Sequence, residues 1–297
     1  MTEPYLAGID CGFSRLTEST GLLWLTPSAH RDGRCSFDFI SRNAFYERGK
    51  LFDLLVVDGP LLPGMYPEYE LSLERRLCER LFVKGEFRTR CKPGESHYGH
   101  GLALRRSGGD ALSQFAGRVR EHLPIPKVAG AKNIVESFPN AVMGLLLEPT
   151  VFDALPGVSR QKFDELYDYA IAPAVRLFER FKPYVGRWSE HPTFWGRIAS
   201  ATRRDHEERA ALVCGLMAMC IHEGRYVAVG EPRGGYLFLP PFALWHPWAV
   251  RALQANIRLL LAEEPEAAIE VWSDGVCQTL HAAHSELQLK RVEAARE

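Results

Sequence analysis

Short apolar runs separated by turn residues open the chain. Tyr5 to Asp10 is apolar and ends on an acid, Thr20 to Leu25 is a second apolar run, and Cys35 to Ser41 alternates aromatic or aliphatic with polar residues. Three strands are predicted from this spacing. Asp32-Gly33, a two-residue hairpin signal, sits between the second and third, so the three read as an antiparallel meander. Asn43 to Lys50 has the pattern of a short helix. It precedes Phe52 to Asp58, whose Leu-Leu-Val-Val centre is the continuous apolar pattern of a strand buried on both faces. A strand, a helix and a further strand favour parallel pairing, and the apolar Asn133 to Phe138 supplies a fifth strand after a long insertion. Helical periodicity follows in Glu68 to Phe82, Ala111 to His122, Arg160 to Phe181, Asp205 to Glu223 and Ala243 to Glu263. Tyr226 to Val229 and Tyr236 to Leu239 read as short strands, and the Leu287 to Glu297 tail is charged. His281 and His284 fall on a predicted helix.

Composition narrows the class. With 297 residues, 46% hydrophobic and 25% charged, the chain can bury a large core and lies far from the disordered class. Its 36 basic and 37 acidic side chains leave a net charge of -1, which excludes a basic packaging protein, so any polyanion contact must come from local clustering. The apolar runs are too short or too interrupted to span a bilayer. The first residues show no basic, apolar and small-residue succession of a secretory signal. Seven scattered cysteines without a Cys-x-x-Cys pair suit reduced thiols, and a cytoplasmic location is expected.

Candidate chemistry sits at strand ends. Asp10 closes the first strand and Asp58 the fourth, each with a glycine one or two positions on. Parallel neighbours would bring both to the carboxyl edge of the sheet, where ligands of open α/β sheets bind. Two carboxylates there repel unless a proton or a cation intervenes, and hard Mg²⁺ or Mn²⁺ suits such oxygens. Capping of two separate turns is the plainer use of the same residues. Glu136 stands inside the apolar fifth strand, where an unpaired carboxylate is costly. It either joins Asp58 on a metal or points to water from an edge. Asp205, His206, Glu207 and Glu208 open a helix, and there a cap by Asp205 with Glu208 reaching back competes with a site role.

The segment between the fourth and fifth strands concentrates base. Arg75, Arg76, Arg80, Lys84, Arg88, Arg90, Lys92, Arg105 and Arg106 lie there with Phe87 and Tyr98 interleaved, a pattern suited to phosphate contact and base stacking. A solvated face paired with Glu74, Glu79, Glu86 and Glu95 is the alternative. Gly108-Gly109-Asp110 opens a helix that could receive a phosphate or be capped by its own Asp. His97 and His100 lack further metal-ligand spacing.

Gly8-Ile9-Asp10, Asp58-Gly59-Pro60, Glu136-Ser137-Phe138-Pro139, Ala211-Leu212-Val213-Cys214-Gly215-Leu216, Gly224-Arg225 and Gly234-Gly235-Tyr236-Leu237-Phe238-Leu239-Pro240-Pro241 occur in this order. Together they resemble a family of predicted RNase H-like nucleases distantly similar to Holliday-junction resolvases. The resemblance covers roughly Leu6 to Pro241. It implies a five-stranded mixed sheet flanked by helices, with acids on the first and fourth strands and the last helix. The domain it implies spans 1–241, with a basic insertion at 68–110 and a helical one at 150–204, and 242–297 is expected to be a helical extension packed on it. The activity implied is metal-dependent phosphodiester hydrolysis on nucleic acid, with Mg²⁺ or Mn²⁺ held by Asp10, Asp58 and an acid from Glu136 or Glu207; the basic cluster, read from the residues alone, puts Arg75, Arg76, Arg88, Arg90, Arg105 and Arg106 toward the nucleic acid. One position departs from the family pattern. Ala210 stands where an Asp usually precedes the apolar run of the last helix, and Glu207, one turn earlier on the same face, is the available substitute. A rival reading uses Gly12, Ser14, Thr17, Ser19 and Thr20 as a phosphate loop of the actin and sugar-kinase ATPases, although no second phosphate loop or duplicated half is visible. A catalytically inactive nucleic-acid-binding module is a third.

Overall fold

Strand alternation and one buried helix decide where the acidic residues end up. The computed structural model describes residues 5–12, 18–26, 35–41, 52–61, 75–90, 96–97, 99, 101–103, 105, 133–154, 159–232 and 234–287. Strands β1 (Leu6–Asp10), β2 (Thr20–Leu25) and β3 (Cys35–Ile40) form an antiparallel meander. β4 (Leu54–Asp58) lies parallel to β1 on its other side, and β5 (Asn133–Ser137) lies parallel to β4. The expected helices at Asn43 to Lys50 and Ala111 to His122 lie outside the described residues. So does the first part of the one at Glu68 to Phe82, which ends in α1 (Leu77–Phe82), followed by the short α2 (Phe87–Arg90).

The sheet does not stop at five strands. β6 (Val227–Glu231), β7 (Gly235–Leu239), β8 (Ile269–Ser273) and β9 (Val276–Leu280) extend it to nine, in the order β3-β2-β1-β4-β5-β7-β6-β8-β9. β7 runs parallel to β5, and the remaining outer pairs are antiparallel. The expected helical extension over 242–297 is therefore a helix followed by a hairpin. Its two-residue turn is Asp274-Gly275, with φ of 47° and 79°, the left-handed pair that an Asp-Gly turn supplies at low cost. His281 and His284 are not helical; they bridge each other just beyond β9.

Helices α3 (Pro139–Leu146), α4 (Pro149–Asp153), α5 (Ser159–Ile171), α6 (Pro192–Ser200), α7 (His206–His222) and α8 (Pro247–Glu263) complete the regular structure with three short 3₁₀ segments. The continuous helix expected over Arg160 to Phe181 breaks after Ile171, because Pro173 has no N–H to donate and disfavours helical backbone at Ala172. α7 is buried on every side from Arg209 to Ile221 and packs on β1, β2 and β4.

The central strands sort their side chains by parity. Leu6, Leu54, Val56 and Val135 join the core that includes α7, whereas Ala7, Ile9, Leu55 and Val57 form a second core on the other face. Each buried aliphatic side chain contributes about 1.5–3 kcal/mol of transfer free energy. Gly8 lies where α7 crosses β1. A Cβ there would stand 2.3 Å from both the Ala211 carbonyl oxygen and the Gly215 nitrogen, so only glycine admits the helix this close. Among the described residues no helix is long and apolar enough to cross a membrane.

Candidate active site

Asp10 and Asp58 are direct partners in the parallel β1–β4 register. Both are the last residue of their strand, and both share parity with the side chains that face α7. The two carboxylates thus stand side by side at the carboxyl edge of the sheet, beneath the helix. Cys214 of α7 lies close enough for its thiol to be pushed well above the usual range, first by burial and then by the charges of Asp58 and Asp10. Burial also raises the Asp58 carboxyl well above an ordinary aspartate, and the neighbouring charges of Asp10 and then Glu136 raise it further. Asp58 Oδ1 is buried without a hydrogen-bond partner among the described residues. A carboxylate crowded by its own kind, with an oxygen unsatisfied, is a place that a cation or a proton would stabilise.

Glu136 does not complete that pair. It sits opposite Val57, not Asp58, so it projects from the face that carries Ile9 and Val57. The β5 residue in register with Asp58 is Ser137, and its hydroxyl donates to the Phe238 carbonyl at 2.8 Å. Glu136 has found a different compensation. Arg76 meets it with both fork nitrogens, Nη1 to Oε2 at 2.6 Å and Nη2 to Oε1 at 2.7 Å, and the Leu61 N–H donates to Oε2 at 2.9 Å. Arg76 also donates through Nε to Glu79 at 2.8 Å and through Nη1 to the Leu61 carbonyl at 3.2 Å. Arg76, Glu79 and Glu136 are all buried.

Arg76 consequently leaves the set of candidate nucleic-acid contacts, and several of its neighbours are also engaged. Arg80 forks onto Glu264, Lys84 meets Glu263, and Arg90 pairs with Glu86 while lying 4.8 Å over the Trp248 ring. Arg105 is buried. Phe87 is buried against Phe82 and Trp248, so it cannot stack a base. Arg75 and Arg88 are exposed; Arg106, Lys92, Tyr98 and the Gly108-Gly109-Asp110 turn lie outside the described residues. Several cations of the stretch that reads as a basic face are thus paired within the chain, with Arg80 and Lys84 joining the α1 region to the end of α8.

The start of α7 divides its residues in a similar way. Asp205 does not cap the helix; its Oδ2 accepts from the Thr202 N–H and hydroxyl at 3.1 and 2.7 Å. Glu208 pairs with Arg197 at 2.6 Å, and His206 contacts Asp164 at 2.9 Å. Buried Arg209 binds Asp164 and Asp168 of α5. Glu207, like Asp205 and Glu208, is half-buried, and its backbone oxygen would lie 2.8 Å from a Cβ on Gly21, the β2 residue paired with Asp10. The turn is therefore level with the aspartate pair, while Ala210 is buried without any ligand to offer. Among the described residues no three His, Cys, Asp or Glu side chains gather into a metal-ligand set.

The phosphate-loop alternative loses one of its hydroxyls, since Thr20 is buried and its Oγ1 accepts the Gly12 N–H at 3.1 Å. Ser14 and Thr17 lie outside the described residues. Sequence reasoning missed the roles of two residues that matter here. Cys214 could be found only from the packing of α7. Arg76 had a signal, because a buried glutamate in an apolar strand demands a cation. Comparison with protein-family models, with curated proteins and with solved structures yields no match.

Proposed function

We propose that the chain is a metal-dependent phosphodiesterase of the RNase H-like class acting on nucleic acid. The observation that carries this reading is the in-register pair Asp10–Asp58 at the ends of adjacent parallel strands, with Asp58 Oδ1 buried and unsatisfied. Acids at the ends of the first and fourth strands of a mixed sheet, with an acid-bearing helix packed over β1 and β4, support it further, because the sequence resemblance implies acids on those elements. Strands β6 to β9 are an elaboration on the β5 side.

Asp10 and Asp58 would hold Mg²⁺ or Mn²⁺, with Glu207 at the start of α7 as the candidate third carboxylate. Bound there, such an ion supplies the charge that activates water and steadies the leaving oxygen in phosphodiester cleavage. The protein's own residues set the conditions. Burial beneath α7 lowers the local dielectric, the two strand ends hold the aspartates in register, and exposed Arg75 and Arg88 offer positive charge for a phosphate backbone.

Mn²⁺ titration of the wild type beside Asp10→Asn and Asp58→Asn tests the site, and Mn²⁺-dependent cleavage of DNA and RNA oligonucleotides tests the activity. Loss of Mn²⁺ binding in both variants with the fold retained is expected; titrations identical to wild type would remove the metal site. Glu207→Gln is expected to abolish cleavage. If it is silent while Ala210→Asp creates cleavage, the protein is a degenerate nuclease. Inactivity of all forms on both nucleic acids would leave the binding-module reading.

A further inference from the structure

Glu136, the β5 partner of Arg76, and the Asp10–Asp58 pair lie on opposite faces of the same sheet, and one short turn connects them. Asp58 ends β4, and Gly59, Pro60 and Leu61 follow it into a buried turn. The β-ladder fixes Asp58 as far as its own position, where it pairs with Asp10 and Ser137. Beyond it, both polar backbone groups of Leu61 are held by the ion pair: its N–H donates to Glu136 Oε2 at 2.9 Å and its carbonyl accepts from Arg76 Nη1 at 3.2 Å. Glu79, fixed in turn by Arg76 Nε and by the Ser96 N–H at 3.3 Å, closes the back of the network. Glu136 and Arg76 thus spend both carboxylate oxygens and all three guanidinium nitrogens on internal partners, and two of those partners are the N–H and the carbonyl of one residue, Leu61, in two successive peptide units of the turn.

We propose that Arg76 and Glu136 are positioning residues, a clamp that holds the Asp58–Leu61 turn from the far face and thereby fixes the Asp58 carboxylate beside Asp10. This deepens the functional reading above and rests on it. A planar fork that grips a carboxylate while also reaching a backbone carbonyl is geometry that lysine cannot reproduce. Partners that orient a metal ligand without touching the metal commonly change affinity about 10–100-fold when removed.

The test uses the full-length protein and Mn²⁺ as the probe, with three variants: the apolar pair Arg76→Met/Glu136→Leu, Glu136→Gln, and Arg76→Lys. Replacing both ions together avoids leaving one charge buried alone, so the paired variant is expected to fold, as judged by a thermal melt. It is expected to bind Mn²⁺ about 10-fold or more weakly than wild type. Glu136→Gln, which still accepts the Leu61 N–H, should lose less. Arg76→Lys should resemble the paired variant despite its retained charge. Amide exchange at Gly59 and Leu61 provides a reading independent of metal: these amides should exchange faster in the paired variant while the β4 amides stay protected. Should the paired variant fail to fold, Arg76→Lys and Glu136→Gln carry both measurements. Unchanged Mn²⁺ affinity and unchanged exchange, in variants that fold, overturn the clamp and leave the aspartate site standing. A wild type that takes up no Mn²⁺ overturns the functional reading instead, and exchange at Gly59 and Leu61 then decides the clamp alone.

Discussion

Two buried carboxylate sites lie one strand apart on opposite faces of one sheet, and they are solved in opposite ways. Glu136 meets an arginine fork and a backbone N–H, with every oxygen engaged. Burial raises both carboxyls, but Asp58 stands beside a second aspartate and beneath a helix, with Oδ1 unpaired among the described residues and the Asp10 charge raising its carboxyl further. Burial alone therefore does not mark a functional carboxylate. What separates the two is whether the fold supplies the compensating charge or leaves it to something that binds.

The largest way to break this contrast is to strip the compensated site. Arg76→Met leaves Glu136 and Glu79 buried without their cation, and a loss of about 3–5 kcal/mol in urea unfolding is expected. A loss under about 1 kcal/mol would mean that Glu136 is protonated and the ion pair contributes little. Next comes the helix that covers the aspartates. Gly8→Ala would drive a methyl into the α7 backbone at Ala211 and Gly215, and about 1–3 kcal/mol of destabilisation with weakened Mn²⁺ binding is expected.

At the uncompensated site the sign reverses. Asp58→Asn, measured with chelator present, should stabilise the protein at neutral pH by about 1 kcal/mol, since it removes a like-charge contact. The pH dependence sharpens the point. The folded pKa of Asp58 lies above its unfolded value, so the native state holds the proton longer and stability falls as pH rises through the interval between them. Asp58→Asn should abolish that fall. A wild-type curve that is flat there, or a variant that is less stable, would make the two sites alike.

A smaller effect comes from outside both regions. His191 is buried; Nδ1 accepts the Phe194 N–H at 3.2 Å, and Nε2 faces the Thr26 carbonyl at 3.2 Å, so the neutral ring satisfies both. Burial lowers its pKa below the ordinary histidine value, so only the unfolded chain takes up the proton readily. Stability should be lost as pH falls below about 6.5 and continue to fall until the folded value is reached. His191→Gln should flatten this acid limb without altering the change that belongs to Asp58; an unaltered acid limb would assign it to another group.

Sequence periodicity by itself determined the first five strands, the apolar core of α7 and the placement of Asp10 and Asp58 at strand ends. These follow from local rules: alternation and apolar runs define strands, and a crossover connection makes β1 and β4 parallel, which is enough to bring their last residues together. The β8–β9 hairpin lies in the expected helical extension: Asp274-Gly275 is a turn signal that stays unused, because the polar β9 lacks the alternation that would announce a strand. Tertiary structure alone decided the rest. Glu136 points away from Asp58 because the β4–β5 register sets it against Val57, and a shift of one residue would reverse its face. Its partner lies 60 residues earlier in sequence, and two cations of the basic run, Arg80 and Lys84, pair with Glu264 and Glu263 more than 170 residues away. Periodicity is a property of neighbouring residues, whereas register and ion pairing are settled only when distant segments compete for the same buried positions.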